Sequence, residues 1–145
     1  MDWTDKTQHV SPHFTVEDCL WLHTWGKLAS ETDGLTDEIK TNLILTCNKM
    51  ELVRDILGTP IHVHSMYRPP AYSLLVGGSE TDVHTKGMAC DFEAVYALSC
   101  DQIKALLLPH LDLLGLRMED NGVGAGWVHI DTKIPLPGHV RFFKP

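Results

Sequence analysis

His84-Thr85-Lys86-Gly87-Met88-Ala89-Cys90-Asp91-Phe92 and, further on, Trp127-Val128-His129-Ile130-Asp131 are the stretches that decide this fold. Met88 to Phe92 sets one carboxylate among small and apolar residues and reads as a strand entering the core. His84 through Lys86 reads as a loop or turn before it, with Gly87 relieving the backbone between the two. Because successive strand side chains point to opposite faces, Cys90 and Phe92 turn away from whatever Asp91 faces. In the second stretch Val128 and Ile130 go to the core, while Trp127, His129 and Asp131 line the opposite face of one cleft. Two neutral imidazoles and a carboxylate supply three of four tetrahedral positions on zinc and leave one for water. His84, Asp91 and His129 therefore read as the ligands of a catalytic rather than a structural zinc site, and a hydrolase is the reading they favour.

The flanking sequence is helical first and stranded later. Thr15 with Glu17 and Asp18 before an apolar run is a helix-start signal, and that helix is expected to run through Trp21 to about Leu28. From Thr36 the apolar positions Ile39, Leu43, Ile44, Cys47, Met50, Val53, Ile56 and Leu57 recur at three and four, so a long amphipathic helix ends near Gly58. Ile61 to Met66 alternates as a half-buried strand stopped by Arg68-Pro69-Pro70; alternation alone places His62 and His64 on one face, so that pair is set aside as a metal site. A short helix is expected over Ala71–Val76, a loop over Gly77–Asp82, and a helix over Ile103–Leu108 with Asp101 as its N-cap. Gly115–Met118, Trp127–Asp131 and Val140–Phe143 read as short strands, separated in part by the glycine-rich loop Asn121–Gly126. Helices followed by mainly antiparallel strands predict an α+β domain: a small central sheet packed by N-terminal helices, in one domain over residues 1–145.

Composition narrows the class of function. At 145 residues and 43% hydrophobic content the chain can bury a core without disulfide staples. A formal net charge of −7 with no Lys/Arg run argues against nucleic acid. No apolar run reaches the roughly 20 residues that span a bilayer, and no signal peptide opens the chain, so a protein made in the cytoplasm without membrane insertion is expected. Cys19, Cys47, Cys90 and Cys100 form no C-x-x-C pair and read as reduced, mostly buried thiols. His9, His13, His23, His110 and His139 lack ligand spacing and read as surface or satisfied core residues.

Taken in order, Ser65-Met66-Tyr67-Arg68-Pro69-Pro70, Gly77-Gly78, His84-x-x-Gly87-x-Ala89-x-Asp91 and Trp127-Val128-His129-Ile130-Asp131 resemble the zinc D-alanyl-D-alanine carboxypeptidases and their single-domain bacteriophage relatives, whose fold the hedgehog signalling domain shares. The resemblance extends into the N-terminal half, through Phe14-Thr15-Val16-Glu17 and Leu52 to Gly58. It implies one zinc ion per chain on His84, Asp91 and His129, with water completing the tetrahedron, and hydrolysis of peptide bonds in peptidoglycan stem peptides. That covers D,D- or L,D-carboxypeptidase and endolysin-type endopeptidase activity. Arg68 matches the family arginine that holds substrate carboxylate or developing oxyanion, a role suited to a guanidinium fork, with Ser65 beside it as a further substrate-binding residue. The resemblance further implies action on the bacterial cell wall after holin release or as a virion component, with virion or tail proteins as partners.

The sequence departs from the family pattern at three places. Gly126 stands three residues before the last histidine, where many members carry a Glu or Asp general base; Asp82 replaces a hydroxyl residue two before the first histidine; and Ser73 replaces an Asn after the arginine turn. Substitutes for the base are Asp131, on the strand face of His129, and Glu119 or Asp120, at the end of the preceding strand. Asp131 is equally placed to orient a ligand imidazole. Gly126 also opens an alternative, a catalytically weak or inactive zinc-binding module acting as a virion structural or wall-binding protein.

Overall fold

Thr15 begins the first helix as its sequence signals. Its hydroxyl accepts the Asp18 amide at 3.3 Å while the Asp18 carboxylate accepts the Thr15 amide at 2.8 Å, a reciprocal cap on α1 (Val16–Leu20). The computed structural model describes residues 1–145 and shows this helix stopping well before Leu28. Instead Trp21–Leu22 (β3) pairs antiparallel with Lys27–Leu28 (β4), after a first ribbon of β1 (His9–Ser11) and β2 (Phe14–Thr15). Two contacts override the helical reading: the Thr24 amide donates to Tyr72 Oη at 3.1 Å, and the Trp25 ring meets Tyr72 edge-on at 5.0 Å.

The 21-residue helix α2 (Asp37–Leu57) follows the predicted bounds. Thr36 Oγ1 accepts the Ile39 amide at 3.2 Å, and Gly58 ends the helix in the left-handed region at φ 65°. After it come β5 (Ile61–Ser65), α3 (Pro70–Leu75), a 3-10 turn over Val83–Lys86, β6 (Ala89–Ala94), α4 (Cys100–Leu107), α5 (Leu111–Leu114), β7 (Arg117–Glu119), β8 (Val128–Asp131) and β9 (Phe142–Phe143). The cap of α4 is Ser99 rather than Asp101, because Ser99 and Gln102 form the reciprocal pair.

Strands β5-β6-β8-β7-β9 form one sheet in that order, antiparallel throughout except for the parallel edge pair β7–β9. The architecture is thus α+β, with a small mixed sheet in which antiparallel pairing dominates. Its buried face carries Val63, Phe92 and Val128 in one cross-strand row and Cys90, Ile130 and Met118 in the next. Leu43, Cys47, Met50 and Val53 of α2, with Ile103 and Leu107 of α4, belong to the same core cluster. All four cysteines are free thiols, and Cys19, Cys47 and Cys90 are buried. No helix is long and apolar enough to cross a membrane.

Helix α2 also locks the histidine turn. Asn42 Nδ2 donates to the Lys86 carbonyl at 2.9 Å and Thr46 Oγ1 to the Gly87 carbonyl at 2.9 Å. Gly87 has φ +70°, and a Cβ there would lie 2.9 Å from the Ile39 carbonyl oxygen and 3.0 Å from Leu43 Cγ. Left-handed strain of about 1–2 kcal/mol adds to an overpacking cost of about 1–3 kcal/mol. Gly87→Ala is therefore expected to destabilise the protein by about 2–5 kcal/mol in urea unfolding and to weaken zinc retention. A variant with wild-type stability would show that the turn is not pinned against α2.

Candidate metal centre

Register puts the site in one row across the sheet. Ser65 pairs with Asp91 and Asp91 with His129, so the three lie side by side on β5, β6 and β8. Met118 pairs with Ile130, which sets Glu119 level with His129 on β7, and Glu119 pairs in turn with Phe143 on β9. His84 comes to the row from the 3-10 turn, whose start is capped by Asp82 Oδ1 accepting the His84 amide at 2.9 Å.

His84, Asp91 and His129 are all buried, and one ligand atom from each lies within 4.8 Å of the others. Asp91 Oδ1 stands 3.2 Å from His84 Nε2 and 2.8 Å from His129 Nδ1. The remaining nitrogen of each ring is already engaged. His84 Nδ1 donates to the Met66 carbonyl at 2.8 Å, and His129 Nε2 donates to Asp131 Oδ2 at 2.9 Å. Those bonds leave His84 Nε2 and His129 Nδ1 turned toward Asp91 Oδ1, where a zinc ion would displace the proton that His129 Nδ1 donates, so the donor set fits zinc: two imidazole nitrogens and one carboxylate oxygen with their outer partners in place.

Electrostatics follow from the same contacts. Burial favours the neutral acid at Asp91, but the His84 and His129 imidazoles outweigh it and hold the carboxyl well below the usual carboxylate range. Burial likewise opposes charge on His129, yet hydrogen bonds to Asp131 and Asp91 push the imidazole up to about 9. Asp131, also penalised by burial, is kept low by His129 and by Arg117, whose Nε and Nη2 donate to its two oxygens at 2.7 and 2.8 Å. The Arg117 guanidinium in turn lies 4.1 Å from the centre of the Phe143 ring.

A cleft of about 940 Å³ opens over the cluster, and Arg68, Glu119, Gly126 and Trp127 are among its walls. Arg68 Nη2 donates to Asp91 Oδ2 at 3.0 Å and its Nε to Ser65 Oγ at 2.9 Å; Ser65 stands behind the arginine rather than in the lining. Glu119 faces the cleft. Asp120 does not: its amide donates to the Phe143 carbonyl at 2.6 Å and its carboxylate stands 3.9 Å from Lys144 Nζ. Asp131, expected in the cleft with Trp127 and His129, shares their face but is fully buried beside the row, under Arg117.

Two of the unusual residues are partners. Ser73 Oγ donates to Asp82 Oδ2 at 2.6 Å, and Asp82 Oδ2 also accepts the Ser79 amide at 3.2 Å. A Cβ on Gly78 would collide with both Ser73 Oγ and Asp82 Oδ2, which explains the second glycine of the Gly77-Gly78 pair. Gly126, by contrast, has nothing within 4 Å of where its Cβ would be.

The family profile for Peptidase M15 matches residues 12–131, which spans β2, the β3–β4 ribbon, α2 and every strand that carries the cluster. The chain belongs to the M15 peptidase family. Comparison with curated proteins and with solved structures gives no match. M15 peptidases are zinc-dependent, and the His84–Asp91–His129 cluster is the group of this member that can hold the ion. Arg117 and the Met66 carbonyl are the parts of the M15 site that sequence reasoning missed. The first had no signal short of knowing that β7 lies against β8, and the second is a backbone atom.

Asp131→Ala gives a direct test of the outer partners. Loss of a carboxylate behind a ligand histidine costs about 10–100-fold in metal affinity. It also leaves Arg117, which is largely covered, without its partner, a change that costs about 3–5 kcal/mol for a buried pair. Competition with a zinc-responsive dye is expected to show the first effect and thermal melts the second; unaltered zinc affinity would remove Asp131 from the site.

Proposed function

We propose that this M15 peptidase hydrolyses peptide bonds in the stem peptides of peptidoglycan, within a single domain of the type shared with D-alanyl-D-alanine carboxypeptidases and the hedgehog signalling domain. The observation that carries the reading is the pair of fixed imidazoles. Each turns one ring nitrogen toward Asp91 while its other nitrogen is held by Met66 or Asp131. His84, Asp91 and His129 would hold the zinc ion, which would supply Lewis acidity toward the scissile carbonyl and the attacking water.

The chain's own residues do the rest. Arg68, braced by Ser65 and Asp91, presents its guanidinium to a substrate carboxylate or to the carbonyl oxygen as charge develops there. Glu119, level with His129 and open to the cleft, takes a proton from the attacking water and returns it to the leaving amine. Asp131, itself held by Arg117, orients the His129 ring through Nε2. Trp127, 42% exposed in the cleft wall, offers a flat apolar surface to the peptide. In this reading the protein acts on the bacterial wall, released by a holin or carried in a virion.

Gly126 favours a second reading, a wall-binding or virion module of the same family with little turnover, because no side chain stands at that position beside the cluster. The experiment is digestion of purified sacculi and synthetic stem peptides by the full chain, zinc-loaded and chelated, with products identified by mass spectrometry. Chelator-sensitive release of a terminal D-amino acid marks a carboxypeptidase, and an internal cut marks an endopeptidase. A chain that holds stoichiometric zinc and cleaves neither substrate overturns the enzyme reading in favour of the module.

A further inference from the structure

The strand order places the cluster mid-sheet, with Arg68 after β5 on one side and Arg117 and Phe143, on β7 and β9, on the other. A peptide lying across the strands with its scissile bond over the cluster therefore has one flank toward Arg68 and the other toward β9. On the β9 side the segment from Lys133 to Lys144 encloses a chamber of about 450 Å³, which shares Arg117, Lys133 and Phe143 with the main cleft. The charged and titratable side chains around this chamber are Arg117, Lys133, His139 and Lys144, with no carboxylate, in a chain whose net charge is −7.

The cations are not equally free. Arg117 is committed to Asp131, and Lys144 stands 3.9 Å from Asp120, whereas the Lys133 ammonium has no carboxylate partner. The Lys133 backbone is nonetheless fixed, because its amide donates to Asp131 Oδ1 at 3.2 Å, the same carboxylate that orients His129. Beside it Ile134, Leu136 and Val140 are 82%, 61% and 67% exposed and form an apolar wall. An unpaired cation next to bare aliphatic surface, opening off a peptide-sized cleft, matches an acidic side chain with a hydrocarbon stem.

We propose that this chamber is a second substrate subsite that takes a free carboxylate of the peptide on the flank opposite Arg68, with Lys133 as its charge partner. Ile134, Leu136 and Val140 cover the methylenes of the same residue. The proposal rests on the cleft being a peptide site, and it narrows the substrate class to stem peptides whose carboxylate at that position is free rather than amidated.

The test uses the full zinc-loaded chain and stem peptides that differ only in one carboxylate being free or converted to carboxamide, at each position in turn. Affinity is read before turnover by rapid-mixing tryptophan fluorescence, since Trp127 lies in the cleft wall. One position is expected to bind about tenfold more tightly as the free acid, the size of one charge-assisted hydrogen bond. That ratio falls to about one in Lys133→Met, survives in Lys133→Arg and inverts in Lys133→Glu. A ratio near one at every position in the wild type overturns the proposal, as does a wild-type ratio in Lys133→Met or the absence of binding by any peptide. Peptides that bind with the Lys133-dependent preference and are never cleaved overturn hydrolysis and leave the subsite standing; cleavage without the preference does the reverse.

Discussion

Replacing Asp91 with alanine is expected to strip the protein of zinc and to lower hydrolysis of stem peptides by about a thousandfold or more. Asp91 is the one carboxylate in the cluster, and one ring nitrogen of each imidazole points at its Oδ1. Without it, two neutral nitrogens remain, too few for a tetrahedral site that keeps an open position. Metal catalysis contributes several kcal/mol to the transition state, and each 1.36 kcal/mol is about tenfold in rate. The fold is expected to persist at a lower melting temperature, because Ala89, Cys90 and Phe92 already bury this strand while Arg68 loses its carboxylate partner. Elemental analysis of the purified variant gives zinc content, and far-UV circular dichroism confirms folding. A folded Asp91→Ala protein with wild-type zinc would displace the metal from this row altogether.

The second large effect concerns proton transfer. Glu119→Gln keeps the size and hydrogen-bonding reach of the side chain and removes its basicity, so kcat is expected to fall by about 10²–10⁴-fold while zinc content stays at wild-type level. Glu119 sits on the cleft side of β7, level with His129, and makes no ion pair with Arg117, which is held by Asp131. Gly126→Glu supplies the complementary arm. The open space around Gly126 admits a side chain without a clash, and a carboxylate there lines the same cleft. Combined with Glu119→Gln, it is expected to restore at least about tenfold of the lost turnover. Undiminished kcat in Glu119→Gln would assign the proton work elsewhere, and a wild type without turnover that gains it on Gly126→Glu would establish the module reading for the native chain.

Much of the site was legible because it depends on period-two alternation and on local caps. Asp91 and His129 each sit between core residues on their own strands, so their shared face follows from the sequence alone, and the bounds of α2 follow from Thr36 and Gly58. What could not be read depends on which strands are neighbours. Glu119 looks no better than Asp120 until β7 is known to lie between β8 and β9, after which one residue faces the cleft and the next turns away. Asp131 alternates in phase with His129, yet Arg117 from β7 covers it and makes it a support rather than a cleft residue. The β3–β4 ribbon was missed because two-residue strands carry no periodicity and its turn is set by Tyr72, far along the chain. Ser73 and Asp82 each looked like an isolated departure until their hydrogen bond showed them as one exchange.

The three side chains of the cluster are not equally anchored. Asp91 and His129 lie on β6 and β8, each paired on both sides, so backbone fluctuations that move them require the sheet to come apart. His84 rides on a single 3-10 turn tied to α2 through Asn42 and Thr46. A zinc ion held by these three residues is therefore expected to leave when the His84 turn parts from α2, with Asp91 and His129 still in place on the sheet.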